Sequence, residues 1–177
     1  ANPDRNAYYG DLHVHTANSF DAYSFGTTAT PADAYRYARG EALAHPVGFE
    51  VRLQQPLDFY AVTDHAMFMG LVKAGDVDPR FSQYPITEPL HGINREENRT
   101  DWSLPARGRA FSEMVPAVIQ GMLDGNIDAE LVNAISKSAW REAVDAADAA
   151  YRPGKFTTFA AFEYTSSTDE RGNLHRN

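Results

Sequence analysis

Five short segments of this 177-residue sequence carry side chains that commonly bind metal ions. They span residues 10–16 (GDLHVHT), 19–21 (SFD), 63–65 (TDH), 162–165 (FEYT) and 172–175 (GNLH). The first, third and fourth follow apolar, strand-like runs, and parallel-sheet enzymes place their chemistry at such strand ends. Imidazole and carboxylate ligands suit Zn²⁺, Mn²⁺ or Fe²⁺. The sequence therefore predicts a hydrolase that uses several clustered metal ions.

His13 and His15 lie two residues apart, so on a strand both side chains point to the same face, roughly 6.5–7 Å apart along the chain. Two such imidazoles can bind one ion if the strand end is twisted. Asp11 lies on the same face and is a candidate to orient one of the rings. The alternative is a pair of surface or capping histidines, since a single motif match also arises by chance.

Two further strand ends carry candidate ligands. Asp64 and His65 directly follow a buried run, although an aspartate there can also cap the next turn. Glu163 follows the run FTTFAAF, and buried carboxylates are normally paired or bound to a metal; a salt bridge to Arg or Lys is the alternative. His45 and His91 lack a strand-end context, so we interpret them as structural or surface residues.

Composition narrows the substrate class. The net charge is −8 and the sequence shows no Lys/Arg cluster of the kind that binds nucleic acid, which favours a small-molecule substrate over DNA or RNA. The absence of cysteine excludes disulfides, thiolate nucleophiles and cysteine zinc sites. No apolar run is long enough to predict a membrane span. The start at Ala1 is compatible either with export and removal of a signal peptide or with simple trimming.

The hydrophobic pattern predicts alternating strands and helices. The predicted strands are 8–15, 49–54, 57–63 and 155–164, the last of them buried on both faces. The predicted helices are one capped by Thr30 and running to about residue 44, then 105–123 and 138–151. In the last helix the stripe predicted to be buried is Trp140, Val144, Ala147 and Tyr151. Residues 66–104 are too long for an ordinary connection, so we interpret them as an insertion, with a lid over the site as one role.

This order of elements predicts an α/β fold built from βα units. It supplies at most four strands of a barrel, and a closed barrel needs more. We therefore interpret residues 1–177 as the N-terminal part of one metallohydrolase domain, and we expect its remaining strands elsewhere in the same polypeptide. On this interpretation, the fragment alone is inactive.

The combination of motifs resembles a known group of proteins. His-x-His, an aspartate six residues later and Thr-Asp-His at the next strand end are similar to the opening pattern of the PHP (polymerase and histidinol phosphatase) superfamily. More closely, residues 9–16, 19–22, 56–65, 162–165 and 172–177 resemble its DUF3604 branch. The resemblance runs from Tyr8 to the last residue. No single motif is specific, but the combination is.

The resemblance implies a distorted (β/α)7 TIM-like barrel of PHP type, incomplete here, with two or three divalent metal ions (Zn, Mn or Fe) at the C-terminal strand ends. The metal ligands that it implies are His13, His15, Asp21, His65, Glu163 and His175.

The implied ligands divide among the ions. His13 and His15 would bind the first ion, and Glu163 would bridge it to a second, which His175 would also bind.

Asp21 and His65 would hold a third ion. Asp64 would support these ligands or bind weakly, and Glu163 and Asp64 are the predicted catalytic pair. The superfamily also uses a further His and a late Asp-x-His pair. Neither occurs in this sequence. We expect them on the rest of the polypeptide, and the alternative is a degenerate site.

Ions roughly 3.5–4 Å apart can activate water and stabilise an in-line attack on phosphorus. The resemblance therefore implies hydrolysis of a phosphate ester. Two alternatives remain. An amidohydrolase-type enzyme also opens with His-x-His, although Asp21 and the Thr-Asp-His element argue against it. A non-catalytic, metal-stabilised binding module is the other.

Overall fold

The computed structural model describes residues 5–100, 104–168 and 172–177. Three of its strands form a parallel sheet in the order β1 (Gly10–Asp11), β4 (Phe59–Val62) and β5 (Thr157–Ala160). Two antiparallel hairpins pair β2 (Leu43–Ala44) with β3 (Glu50–Val51), and β6 (Tyr164–Thr168) with β7 (Gly172–Arg176). The described residues thus form a mixed α/β structure with a parallel sheet and no closed barrel.

Helices make up most of the remaining regular structure. They are α1 (Phe20–Ser24), α2 (Pro31–Ala38), α3 (Leu71–Val77), a 3₁₀ helix (Pro85–Leu90), α4 (Glu96–Thr100), α5 (Leu104–Leu123) and α6 (Ala129–Ala150). No helix in the described ranges is both long and apolar enough to cross a membrane.

Helix α2 begins as the sequence predicts. The Thr30 hydroxyl accepts a hydrogen bond from the Asp33 main-chain N–H, and the Asp33 carboxylate accepts one from the Thr30 N–H, which completes a capping box. The helix ends at Ala38, six residues before the predicted end. Gly40 adopts a left-handed conformation with φ of 84°, a common way for a helix to stop.

Strand β1 is much shorter than the predicted strand 8–15. Beyond Asp11 the chain still runs beside β4, but a threonine side chain interrupts the ladder. The Val14 N–H donates to Thr63 Oγ1 (2.9 Å), and the Thr63 N–H donates to the Val14 carbonyl (2.7 Å). The segment between the predicted strand 8–15 and the helix capped by Thr30 contains α1, a helix of only five residues and therefore too short for periodicity to reveal.

Gly10 explains how closely β1 approaches β4. It pairs with Phe59 in the parallel ladder, and a Cβ atom added at residue 10 would lie 2.2 Å from the Phe59 carbonyl oxygen. Only glycine fits this approach.

Of the four residues predicted to be buried along α6, Ala147 is buried and the other three are not. Tyr151 lies outside the helix and is 46% exposed, and Trp140 and Val144 are only half-buried. The buried stripe is Val132, Ile135, Ala139, Ala143, Ala147 and Ala150. The small alanines let α6 pack closely on α2 and β5. The buried face of this helix is therefore the one that allows close packing, and it is not the face with the largest apolar side chains.

The predicted insertion, residues 66–104, is largely helical in its described part. Its apolar side chains, including Leu71, Phe81 and Leu90, are buried in one cluster with Met114 and Val118 of α5. The segment therefore builds part of the core. Its role as a lid over the site stays a prediction.

Strand β5 is not buried on both faces, contrary to the sequence prediction. Within the described chain it is an edge strand, paired only with β4. Phe159 and Phe162 are 44% and 45% exposed. The apolar run therefore presents aromatic side chains on an open edge of the sheet.

Candidate metal centre

The carboxyl ends of β4 and β5 place their polar residues side by side. His65 and Glu163 are partners in a parallel bridge just beyond the two strands. The Glu163 N–H donates to the Asp64 carbonyl, and the Ala66 N–H donates to the Glu163 carbonyl, both at 3.0 Å. Main-chain pairing therefore fixes the distance between these two strand ends before any side chain interacts.

The chain after β1 adds two histidines to the same edge. His13 Nε2 and His15 Nε2 lie 3.1 Å apart, because both rings turn toward the ends of β4 and β5. Asp11 does not orient either ring. Its Oδ1 accepts a hydrogen bond from the His13 main-chain N–H at 2.9 Å instead.

Glu163 lies at the centre of the histidines and is fully buried. Its Oε2 lies 2.8 Å from His15 Nε2, 3.4 Å from His13 Nε2 and 3.5 Å from His65 Nδ1. Its Oε1 accepts a hydrogen bond from His175 Nδ1 on β7. None of the contacts to Oε2 has hydrogen-bond geometry, so among the described residues this buried oxygen has no donor. Buried carboxylate oxygens are rarely left in that state.

Asp21, on α1, lies on the other side of His15 and His65. Its Oδ2 is 3.3 Å from His65 Nε2, and its Oδ1 is 3.4 Å from His15 Nδ1. The Ser19 hydroxyl donates to the same Oδ1 at 2.7 Å. A helix too short to be seen in the sequence thus brings the second carboxylate to the site.

The six predicted ligands come together in three overlapping groups, each with ligand atoms within 4.8 Å of one another. The groups are His13, His15 and Glu163; His15, Asp21 and His65; and His65, Glu163 and His175. We call these six residues the histidine–carboxylate cluster. Glu163, His15 and His65 each belong to two groups.

Asp64 lies outside all three groups. Its Oδ1 accepts from the Thr16 main-chain N–H and its Oδ2 accepts from the Thr16 hydroxyl. Both oxygens of this buried carboxylate are therefore occupied by one residue of the loop that follows His15. Asp64 therefore holds that loop against the end of β4.

The two histidines interpreted as structural or surface residues lie elsewhere. His45 stacks on Phe49 in the β2–β3 hairpin, with ring centroids 4.3 Å apart. His91 Nε2 lies 3.0 Å from the Ser82 carbonyl and 3.2 Å from Thr87 Oγ1. Neither contributes to the metal-ligand groups found in the described residues.

His15 and Asp21 shift each other's pKa in opposite directions. Burial by itself would lower the pKa of His15, but the Asp21 carboxylate and the negative charge of Glu163 outweigh it and raise that pKa. Burial would raise the pKa of Asp21, yet the close contacts with His15 and His65 and the hydrogen bond from Ser19 hold that pKa far below its usual range. Asp21 is therefore a carboxylate at any physiological pH.

The two carboxyls at the strand ends shift in opposite directions. Burial raises the pKa of Asp64, and its hydrogen bonds from Thr16 only partly offset that effect. Burial also acts to raise the pKa of Glu163, but the charge of His65 and the hydrogen bond from His175 bring it below its usual value. The surrounding histidines thus favour a negative charge at Glu163.

Sequence reasoning missed three hydroxyl groups that hold the site in place. They belong to Thr16, which binds Asp64; Ser19, which binds His15 and Asp21; and Thr165, whose Oγ1 contacts His65 Nδ1. A signal was available, because each hydroxyl residue lies within two positions of a predicted ligand or catalytic residue.

The donor set fits a divalent metal. Imidazole nitrogens and carboxylate oxygens converge, and the central carboxylate oxygen lacks any hydrogen-bond donor in the described chain. Fold and site together define an α/β protein with a histidine–carboxylate cluster at the carboxyl edge of its parallel sheet, where a metal ion could be held.

The chain belongs to the DUF3604 family, described as a protein family of unknown function, whose model matches residues 2–177. No curated protein and no solved structure matches the chain.

Proposed function

We propose that this chain carries the metal centre of a metal-dependent hydrolase that uses two or three divalent ions, Zn²⁺, Mn²⁺ or Fe²⁺, and whose substrate is a small phosphate ester. The observation that carries the proposal is the Glu163 Oε2 atom. It is buried and anionic and has no hydrogen-bond donor among the residues that the structure describes, yet three histidine nitrogens lie within 3.5 Å of it. Leaving a charged group unsatisfied costs more than the roughly 1–3 kcal/mol of a neutral one. A cation between these atoms would remove that cost.

The two oxygens of Glu163 support the proposal that more than one ion is held. Oε2 faces His13 and His15, whereas Oε1 contacts His175. A carboxylate with different partners on its two oxygens is suited to bridge two ions. His13 and His15 would then bind the first ion, and His175 the second.

Asp21 and His65 support a third position. His65 Nε2 and Asp21 Oδ2 approach to 3.3 Å on the side of the cluster away from His175. If Asp21 and His65 bind an ion, the centre holds three ions; if they do not, it holds two.

The exposures of the ligands indicate where a substrate would enter. The His13 and His175 side chains are 59% and 40% exposed, whereas Glu163 and His65 are buried beneath them. Bound ions would supply Lewis acidity toward a phosphoryl oxygen and an activated water. The buried residues hold the charge in place, and the two exposed histidines border the open side where an ester would bind.

The finer fold is part of the proposal. We propose a distorted TIM-like barrel of the PHP type. Three parallel strands with the candidate ligands at their carboxyl ends support it, since barrel enzymes build active sites there. The open edge at β5, with Phe159 and Phe162 exposed, is a place where a further strand would pair.

Metal analysis combined with hydrolase assays on the natural polypeptide tests the proposal. We expect two or three equivalents of Zn, Mn or Fe per chain by inductively coupled plasma mass spectrometry. We also expect turnover of p-nitrophenyl phosphate or bis-p-nitrophenyl phosphate that a chelator abolishes and metal restores.

Three outcomes would redirect or end the proposal. Hydrolysis of cyclic amides but not of phosphate esters would favour an amidohydrolase-type enzyme. Full metal occupancy without any hydrolysis would favour a metal-stabilised binding module. A polypeptide that binds less than one equivalent of every metal tried would exclude a metal-dependent function.

A further inference from the structure

Ser19 occupies the N-cap position of α1, yet its hydroxyl caps nothing. Serine at this position normally accepts a hydrogen bond from a main-chain N–H of the first helical turn. Here no such bond forms, although the side chain is fully buried. The hydroxyl is directed into the histidine–carboxylate cluster instead.

Every hydrogen-bonding capacity of this hydroxyl is used by the cluster. Ser19 Oγ donates to Asp21 Oδ1 at 2.7 Å and accepts from the His65 main-chain N–H at 3.3 Å. His15 Nδ1 lies 2.8 Å from the same oxygen. A hydroxyl has one proton to donate and two lone pairs to accept with, so these three contacts fill it.

Proton counting then assigns the tautomer of His15. Asp21 Oδ1 also accepts from the Ala22 N–H at 2.7 Å, as a carboxylate oxygen does. The serine proton must lie on the bond to Asp21, because two bare oxygens 2.7 Å apart would repel each other. His15 Nδ1 therefore cannot receive that proton and must be the donor to Ser19.

The consequence reaches both sides of the cluster. With the proton on Nδ1, His15 Nε2 keeps its lone pair free for a cation, and this nitrogen lies 2.8 Å from Glu163 Oε2. On the other side, Asp21 Oδ1 is occupied by two donors, which leaves Oδ2, 3.3 Å from His65 Nε2, as its free oxygen.

We propose that Ser19 is a positioning residue that fixes His15 as the Nδ1–H tautomer and Asp21 as a one-oxygen ligand, and thereby couples two adjacent metal positions. Metal-binding histidines usually donate their second ring N–H to a carboxylate, a carbonyl or water. Here a serine hydroxyl takes that place and passes the hydrogen bond on to a second candidate ligand. This inference rests on the proposed metal centre, but it concerns a residue outside the ligand set.

Long-range ¹H–¹⁵N correlation NMR of the imidazole rings tests the tautomer directly in the wild-type protein. We expect His15 Nδ1 to carry a proton in both the metal-free and the Zn²⁺-loaded protein. In the loaded protein, Nε2 should carry no proton. A loaded protein in which His15 Nε2 carries the proton would overturn the inference. That result would leave the metal centre itself intact.

Variants test the coupling. Ser19→Ala should weaken Zn²⁺ binding about 10–100-fold, measured by competition with a chelating dye, and should mix the His15 tautomers. Ser19→Thr keeps the hydroxyl and should restore the wild-type tautomer. Ser24→Ala is the matched control, because Ser24 is equally buried in the same helix but donates only to the Phe20 carbonyl.

The outcomes separate the two proposals. Failure to bind Zn²⁺ by the wild-type protein would count against the proposed function. The metal-free NMR spectrum, recorded at a pH where the His15 ring is neutral, would still decide the His15 tautomer. A Ser19→Ala protein with unchanged Zn²⁺ affinity and an unchanged tautomer would refute the role of Ser19. Equal losses of Zn²⁺ affinity in Ser19→Ala and Ser24→Ala would show that Ser19 acts only through the packing of α1.

Discussion

Asp64 and Glu163 stand on adjacent strand ends, hydrogen bonded through their main chains, and both are buried. Thr16 supplies a donor to each oxygen of Asp64. Glu163 has a donor on Oε1, whereas among the described residues its Oε2 has ring nitrogens nearby but no hydrogen-bond donor. The same kind of group at the same depth is therefore satisfied in one case and incomplete in the other. Asp64 holds the structure together, whereas Glu163 could bind a cation.

Glu163→Gln should give the largest effect. The amide keeps the shape but removes the charge and replaces one oxygen with an NH₂ group that cannot bind a cation. We expect loss of at least one metal equivalent and a fall in hydrolysis of more than the roughly 100-fold typical of supporting residues. Metal analysis beside the phosphate-ester assay measures both.

His91→Gln is the control for that experiment, since His91 lies outside the cluster. It should leave the metal content and turnover near those of the wild type. Near-normal metal content and turnover in Glu163→Gln would show that the carboxylate does not bridge ions.

Asp64→Asn should act on folding. An amide can accept only one of the two hydrogen bonds from Thr16, and its NH₂ group would face the other donor. A buried donor left without a partner costs about 1–3 kcal/mol. We expect a decrease of that size in the free energy of unfolding, measured by urea denaturation of the metal-free protein.

Metal content distinguishes the two roles of Asp64. The variant protein that remains folded should keep the wild-type number of metal equivalents. Loss of an equivalent without loss of stability would instead make Asp64 a ligand and weaken the contrast with Glu163.

A third carboxylate extends the comparison to a more exposed setting. Burial would raise the pKa of Asp33, but the hydrogen bonds from Thr30 and the charge of Arg36 outweigh it and lower that pKa. Asp33→Asn should therefore cost about 1 kcal/mol or less at neutral pH, because the pair with Arg36 is partly exposed and screened.

The sign of its pH dependence follows from linkage. A carboxyl whose pKa is lowered by folding contributes stability above its ordinary pKa of 3.8, and that contribution is lost as the pH falls through the folded-state value. The stability difference between wild type and Asp33→Asn should thus shrink below about pH 3.8 in urea titrations. A difference that stays constant down to about pH 3 would assign the effect to helix propensity.

The sequence predicts those features that depend on local chemistry. The N-cap at Thr30, the buried strand before Thr63 and the helix over α5 are confirmed. The convergence of His13, His15, His65 and Glu163 was also inferable, because the carboxyl ends of parallel strands meet at one edge. Asp21 and His175 lie on other elements, and the family resemblance implied their place in the set.

Features that depend on contacts between distant segments were not predictable. The buried face of α6 depends on how closely alanines let it approach α2 and β5, and a hydrophobic stripe does not encode that distance. The Thr16–Asp64 pair joins residues 48 apart in sequence. The prediction that residues 155–164 are buried on both faces was wrong, since hydrophobicity does not report which strand lies at an edge.

Gly10 links backbone geometry to metal chemistry. Because a Cβ atom there would lie 2.2 Å from the Phe59 carbonyl oxygen, any other residue must push β1 away from β4. His13 and His15 follow three and five residues later, whereas His65 follows β4. Metal–ligand bonds tolerate errors of only about 0.2 Å. If the cluster binds metal as proposed, a residue that is not itself a candidate ligand therefore sets the distance between the candidate ligands after β1 and the one after β4.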